Sequence, residues 1–156
     1  MSLYNLFWNL DKSIHYGKRL GYGMSYFKNY HANDIFSKLK MGNYNRHGYK
    51  RIPLFSSSRL DMVCILWPPN TSSLIHNHES SCMFKIIHGN MTEKLYTKIE
   101  KRDNSGDKYV CVQSEDLIVN DVRISLTENE YHQIQNNTHE YGITLHLYEK
   151  KSHFYS

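Results

Sequence analysis

Alanine is almost missing from this chain: Ala32 is the only one in 156 residues, against an abundance of Asn, Tyr, Lys and Ile. That bias excludes nothing. Other scarcities are more useful. There are three cysteines, Cys64, Cys82 and Cys111, and no CxxC pair. An odd, unpaired set speaks against a disulfide framework and a zinc knuckle, and for reduced thiols. No apolar run approaches the ~20 residues that cross a bilayer. The opening stretch has its basic residues after its apolar ones, the reverse of a secretory leader, so a cytoplasmic location is expected. The net charge is +4, but no Lys/Arg block is dense enough for a nucleic-acid groove. Repeats and low-complexity linkers are absent too, which leaves one globular domain.

What is present divides into two parts. Residues 1–48 read as helical. Leu3, Leu6, Phe7, Leu10 and Ile14 recur at helical spacing. The segment ANDIFSKLKMG carries a cap at Asn33 or Asp34 and a stop at Gly42. The Gly- and Tyr-rich stretch between them has no clear period. From Tyr49 to about residue 150 the pattern changes to short apolar runs parted by turn residues. Strands are expected at YKRIPLF, LDMVCILW, SLIHNH, CMFKIIHG, NMTEKLYTKI, KYVCVQS, DLIVND, ISLT, YHQIQN and YGITLHLYE. Turns are expected at PPNTSS, HGN, KRDNSGDK and ENE. Many short strands of this kind predict an antiparallel β-barrel behind a helical segment.

Three groups of residues can carry chemistry. His76 and His78 form an HxH. On a strand they point the same way and can grip one metal ion. Among ten histidines this motif alone is weak. Its context is stronger: Cys82, then the turn Gly89, then His132 with Asn136 four residues later. That order is similar to the cupin pattern, with Cys82 where many cupins have a metal-binding Glu. The PxG that usually precedes the second motif is absent. Three neutral imidazoles suit Fe(II), Zn or Cu. Second, Thr144, His146 and Tyr148 alternate with Leu145 and Leu147, so a strand lines a hydroxyl, an imidazole and a phenol along one face. Such a row can set the tautomer of His146 and orient the Tyr148 hydroxyl. Third, Arg51, in Tyr49-Lys50-Arg51, can pair with a carboxylate in bidentate fashion.

Taken together, YKR, LWPPNTSSLIHNH, CMFKIIHGN, the His132 region and TLHLY resemble the cysteine dioxygenase family, in order and with similar spacing. The resemblance implies a single cupin domain over 1–156, a double-stranded β-helix or jelly-roll barrel. It implies one Fe(II) per chain, held by His76, His78 and His132. Arg51 would bind the substrate carboxylate, with Tyr49 and Trp67 close to that pocket. Tyr148 would assist catalysis, oriented by His146 and by Thr144, which replaces the usual Ser. Cys82 matches the cysteine that becomes thioether-bonded to the tyrosine at Tyr148. The implied reaction is oxidation of the L-cysteine thiol by O2 to cysteine sulfinic acid, in a monomer with no nucleic-acid or membrane partner. Two alternatives stand beside it: a dioxygenase of 3-mercaptopropionate or another small thiol, and a metal-binding cupin without turnover. The relatives that oxidise 3-mercaptopropionate generally lack the arginine at Arg51.

This chain also departs from the family. One residue fewer separates His78 from Cys82 than in the animal enzymes. No proline follows Tyr148. The short stretch after Tyr148 leads us to expect a more open pocket. The remaining histidines read as surface or structural, and Cys64 and Cys111 as core strand residues.

Overall fold

The computed structural model describes residues 1–15, 20–31, 34–40, 42–100, 105–125 and 129–150. Its framework is two antiparallel sheets. The first runs β1 (Lys50–Ser56), β2 (Leu60–Trp67), β9 (Gly142–Glu149), β4 (Cys82–His88) and β7 (Val122–Ser125), in that order. The second runs β3 (Thr71–Ser72), β8 (Tyr131–Asn136), β5 (Met91–Ile99) and β6 (Lys108–Leu117). The sheets stay separate among the described strands, so the expected barrel is realised as an open cupin-type sandwich.

Strand alternation sorts the core into two layers. Met62, Cys64 and Leu66 of β2, Met83 of β4, and Ile143, Leu145 and Leu147 of β9 pack with the N-terminal helices. Val63, Ile65 and Trp67 of β2 and Phe84 and Ile86 of β4 take the opposite face, with Met91, Leu117 and Ile134. This follows from the period of two along each strand. Cys111, expected in the core with Cys64, is instead exposed on β6, the edge strand of the second sheet. Helix α1 (Leu3–His15) buries the expected stripe of Leu3, Leu6, Phe7, Leu10 and Ile14 against the first layer.

The rest of the N-terminal segment differs from expectation. The Gly/Tyr-rich stretch forms a 3-10 turn at Leu20–Gly23 and a short helix α2 (Met24–Asn29). The predicted helix over ANDIFSKLKMG is reduced to a 3-10 turn at Phe36–Lys38. Asn33 lies outside the described residues. The carboxylate of Asp34 serves another element: Oδ2 accepts the Leu3 N–H at 2.9 Å, so it caps α1 from 31 residues away. Its other oxygen accepts the Tyr30 hydroxyl.

A further long-range tie comes from Lys85. Its side chain lies on the helix-facing side of β4 and is fully buried. Its ammonium donates to the carbonyls of Phe27, Lys28 and Tyr30 at 3.0, 2.7 and 2.6 Å. These acceptors are the open end of α2, where a cation is favourable.

Two predicted strands are not regular. SLIHNH runs beside β8 without joining it as a ladder. The Ser73 hydroxyl takes the Ile134 N–H at 3.0 Å and donates to the Leu74 carbonyl, displacing regular backbone pairing. DLIVND is a turn from Ile118 to Asp121, because Asp121 Oδ2 accepts the Ile118 N–H at 2.9 Å and Asn120 adopts φ +77°. The HGN turn forms as expected. Gly89 takes φ +76°, and a Cβ there would meet the Tyr141 carbonyl oxygen at 2.7 Å. The turns at KRDNSGDK and ENE, and the end of ISLT, fall partly outside the described residues.

Candidate active site

The site lies on the inner face of the sandwich. His76 reaches it through an isolated bridge to His132, with N–H···O bonds of 2.9 and 2.8 Å in the two directions. His132 sits on β8, and His78 follows two residues after His76. One ring nitrogen from each histidine falls within 4.8 Å of the other two. The Nε2 atoms of His78 and His132 are 3.0 Å apart, and those of His132 and His76 are 3.2 Å apart. Nitrogens about 2.1 Å from one shared ion, at a right angle to each other, would lie about 3.0 Å apart.

The proton positions fit a cation. His76 Nδ1 lies 2.8 Å from the Leu74 carbonyl, which can only accept, so Nδ1 carries the proton. His132 Nδ1 lies 2.9 Å from Glu93 Oε2 and carries its proton for the same reason. Both Nε2 atoms therefore present lone pairs to each other across 3.2 Å. A positive centre between them would turn that repulsion into attraction. A proton is poorly suited to the task. Burial lowers His76 below the ordinary histidine range, and the positive charge of Arg51 acts in the same direction. His78 is pushed down to about 3, chiefly by burial. The residues thus fit a metal ion, held by His76, His78 and His132.

Glu93 is the part of this centre that sequence reading missed. It comes from β5, is buried, and orients His132 from behind, as carboxylates commonly do for metal-bound histidines. Arg123 lies beyond it, with Nε 3.9 Å from Glu93 Oε1, and also pairs with Glu115. A signal was available: Glu93 is in phase with the buried Met91.

Beside the histidines, β9 points Thr144, His146 and Tyr148 inward while Ile143, Leu145 and Leu147 face the helices. Thr144 Oγ1 lies 2.7 Å from His146 Nε2, and His146 Nδ1 lies 3.2 Å from the Tyr148 hydroxyl. Arg51, exposed on β1, donates from Nη1 to that hydroxyl at 3.3 Å. Trp67 Nε1 donates to Thr144 Oγ1 at 2.8 Å, and the Trp67 ring packs on Tyr49 at 4.5 Å between centroids. The Tyr148 ring lies 5.2 Å from that of His78. Burial pushes the Tyr148 phenol above its ordinary range, so it is protonated at neutral pH. Cys82 is buried and directly opposite Tyr148 in the β4–β9 register. Its thiol is raised by the same cause. Every residue singled out from the sequence therefore lines this one face or its rim. Asn136 closes the end of the site by donating to the carbonyls of Trp67, Pro68 and Glu140 at 2.9, 3.2 and 2.7 Å.

An open two-sheet sandwich with three converging imidazoles backed by a buried carboxylate is a metal-binding cupin. The chain belongs, more narrowly, to the family described as cysteine dioxygenase type I, whose sequence pattern matches residues 24–152. That is a family of thiol dioxygenases. Among curated proteins, the chain is similar to cysteine dioxygenase type 1 of Bos taurus, 22% identical over 118 residues, which cover 73% of this chain and 54% of the bovine one. The chain thus spans about half the length of that relative. Solved structures agree on the fold. A protein of Thermus thermophilus superposes with a TM-score of 0.55 at 15% identity, covering 76% of this chain and 95% of its own. The cupin domain of Schizosaccharomyces pombe Cnp3 gives 0.55 at 13% identity, covering 73% and 72%.

Proposed function

We propose that this chain is an Fe(II)-dependent cysteine dioxygenase, converting the L-cysteine thiol to the sulfinate with both oxygens of O2. We further propose one iron per chain in a cytoplasmic monomer. The observation that carries this reading is the meeting of a three-imidazole centre with Arg51 and the protonated Tyr148 on one inner face. Bound Fe(II) would supply the centre at which thiol and O2 react. The chain's own part is to hold and orient. His76, His78 and His132 are neutral donors and bring no negative charge, which favours an anionic thiolate partner over a neutral alcohol. Arg51 offers a planar fork for a carboxylate and fixes the substrate's orientation. Tyr148 donates a hydrogen bond to the bound substrate, its ring held by His146 and the Arg51 guanidinium, 4.9 Å from the ring centroid. Tyr49 and Trp67 form the wall behind Arg51.

The register opposite Tyr148 supports a Cys82–Tyr148 thioether, formed with loss of two hydrogens to O2 as oxidant. It would lock the phenol further.

Arg51→Gln tests the substrate assignment. The expected result is a rise in KM for L-cysteine of 10-fold or more, with iron content unchanged; a charged hydrogen bond is worth about 1.5–3 kcal/mol. Equal loss of iron and turnover would remove Arg51 from the pocket. Unchanged cysteine turnover, or preference for 3-mercaptopropionate in the parent protein, would give the site to another thiol.

A further inference from the structure

Two carboxylates stand side by side behind the three-histidine centre. Glu93 on β5 and Glu115 on β6 are direct partners in the strand register. Like charges placed directly opposite on a sheet repel. One cation answers both. Arg123 sits on β7, paired with Phe84 of the inner face, and reaches the two carboxylates from the facing sheet. Among the described residues it is the one Lys or Arg that pairs with either.

The sharing is unequal. Arg123 Nη2 is in direct contact with Glu115. Its Nε lies 3.9 Å from Glu93 Oε1, beyond hydrogen-bond distance. Nη1 donates to the Val122 carbonyl at 3.1 Å and tethers the fork from the other side. Glu93 uses its second oxygen, Oε2, to accept from His132 Nδ1 at 2.9 Å. No hydrogen bond from a described residue reaches Oε1. Burial would favour the opposite arrangement. The Glu93 side chain is 8% exposed and that of Glu115 46%, and attraction is screened least where water is scarce. The contacts with Glu115 and the Val122 carbonyl therefore keep Arg123 short of the buried carboxylate.

This matters to the histidine in front. A carboxylate behind a metal-bound imidazole raises the basicity of that imidazole. With the fork closed on Oε1, Glu93 would share its charge with a hydrogen-bonded guanidinium, and His132 would be the weaker donor. A full positive charge would also stand nearer the metal. Both effects act against a bound cation. A shift of about 1 Å would bring Nε to hydrogen-bond distance. Arg123, Glu93 and Glu115 border a cavity of about 360 Å³, which leaves room for it.

We infer that Glu115 is a positioning residue for the metal centre: it holds the Arg123 guanidinium off Glu93, so that the buried carboxylate keeps its charge for His132. From this place Arg123 offsets the repulsion between the two carboxylates without taking a lone pair of Glu93. The inference rests on the reading of His76, His78 and His132 as metal ligands. It does not depend on which thiol is oxidised.

Glu115→Thr tests it. Threonine suits a strand and is too short to hold the fork. Zn(II) affinity, measured by competition with a chromophoric chelator, should fall about 3–10-fold, less than for outright loss of a carboxylate behind a ligand. Adding Arg123→Gln should return the affinity to the parent value or above it. That reversal separates a cation held at a distance from a structural ion pair, where losing both partners brings no recovery. A second readout needs no metal. In metal-free, 15N-histidine-labelled protein, the His132 Nδ1–H resonance, assigned by its loss in His132→Gln, should move upfield in Glu115→Thr and return in the double variant. Unchanged affinity and an unchanged resonance in Glu115→Thr would overturn the inference, and so would a double variant that binds more weakly than the single one. Should the double variant not fold, Glu115→Gln takes its place. Its amide oxygen still accepts from the fork, so affinity and resonance should lie between those of the parent and Glu115→Thr; values equal to those of Glu115→Thr would overturn the inference. If the parent binds no Zn(II), the reading of the three histidines as a metal centre fails, while the metal-free resonance still decides whether Glu115 holds the fork off Glu93.

Discussion

Lowering the pH of the metal-free protein from 7.5 to 5.5 should destabilise it steeply. His76, His78 and His146 all have folded pKa values below the ordinary histidine value, chiefly through burial. In the unfolded chain each takes up a proton near pH 6.5. Below that value the unfolded state binds more protons, so stability falls as pH falls. A histidine that stays neutral when folded loses about 1.4 kcal/mol over this interval. His78, at about 3 when folded, gives its full share, and so does His146. His76 adds part of a third. The sum is about 3–4 kcal/mol, a large fraction of the ~5–15 kcal/mol that holds a domain of this kind together. Carboxylates with ordinary pKa values are still ionised at pH 5.5, so histidines dominate the window. Urea unfolding followed by circular dichroism, in the presence of a chelator, measures it. With m of about 2 kcal/mol/M, the midpoint should drop by about 1.5–2 M. His78→Gln should flatten the dependence by about 1.4 kcal/mol. A midpoint that holds steady between the two pH values would refute the claim that these imidazoles are buried and neutral.

Two substitutions probe the supporting shell. Glu93→Gln should weaken metal binding by about 10–100-fold, measured by competition with a chromophoric chelator, because the carboxylate that holds His132 loses its charge; unchanged affinity would contradict its role. Lys85→Met should cost about 2–4 kcal/mol in urea unfolding, since three carbonyls lose a charged donor. It should also speed hydrogen exchange in α2 while leaving metal affinity unchanged.

The parts of the site that obey a local period were legible in the sequence. The alternation from Thr144 to Tyr148 put three polar groups on one face because a strand repeats every two residues, and the structure has them there. Sequence order likewise brought His76, His78 and His132 into consideration, although His76 arrives by a single bridge rather than on a regular strand. What stayed hidden was decided at long range. Glu93 reads as one polar residue in an alternating strand until the opposite strand brings His132 against it. Lys85 interrupts an apolar run, and nothing nearby announces that its ammonium will find carbonyls 55–58 residues upstream. Asp34 looks like the cap of its own segment but is taken by α1, which leaves only a 3-10 turn behind it. In each case a polar side chain had more than one place to satisfy itself, and tertiary packing chose.

The most direct test of the account supplies anaerobically Fe(II)-loaded protein with L-cysteine and 18O2, and weighs the product. The account predicts O2 uptake that depends on both iron and thiol, and cysteine sulfinate carrying two labelled oxygens. Iron bound by the three histidines with no thiol-dependent O2 uptake would contradict it and leave a metal-binding cupin without this activity.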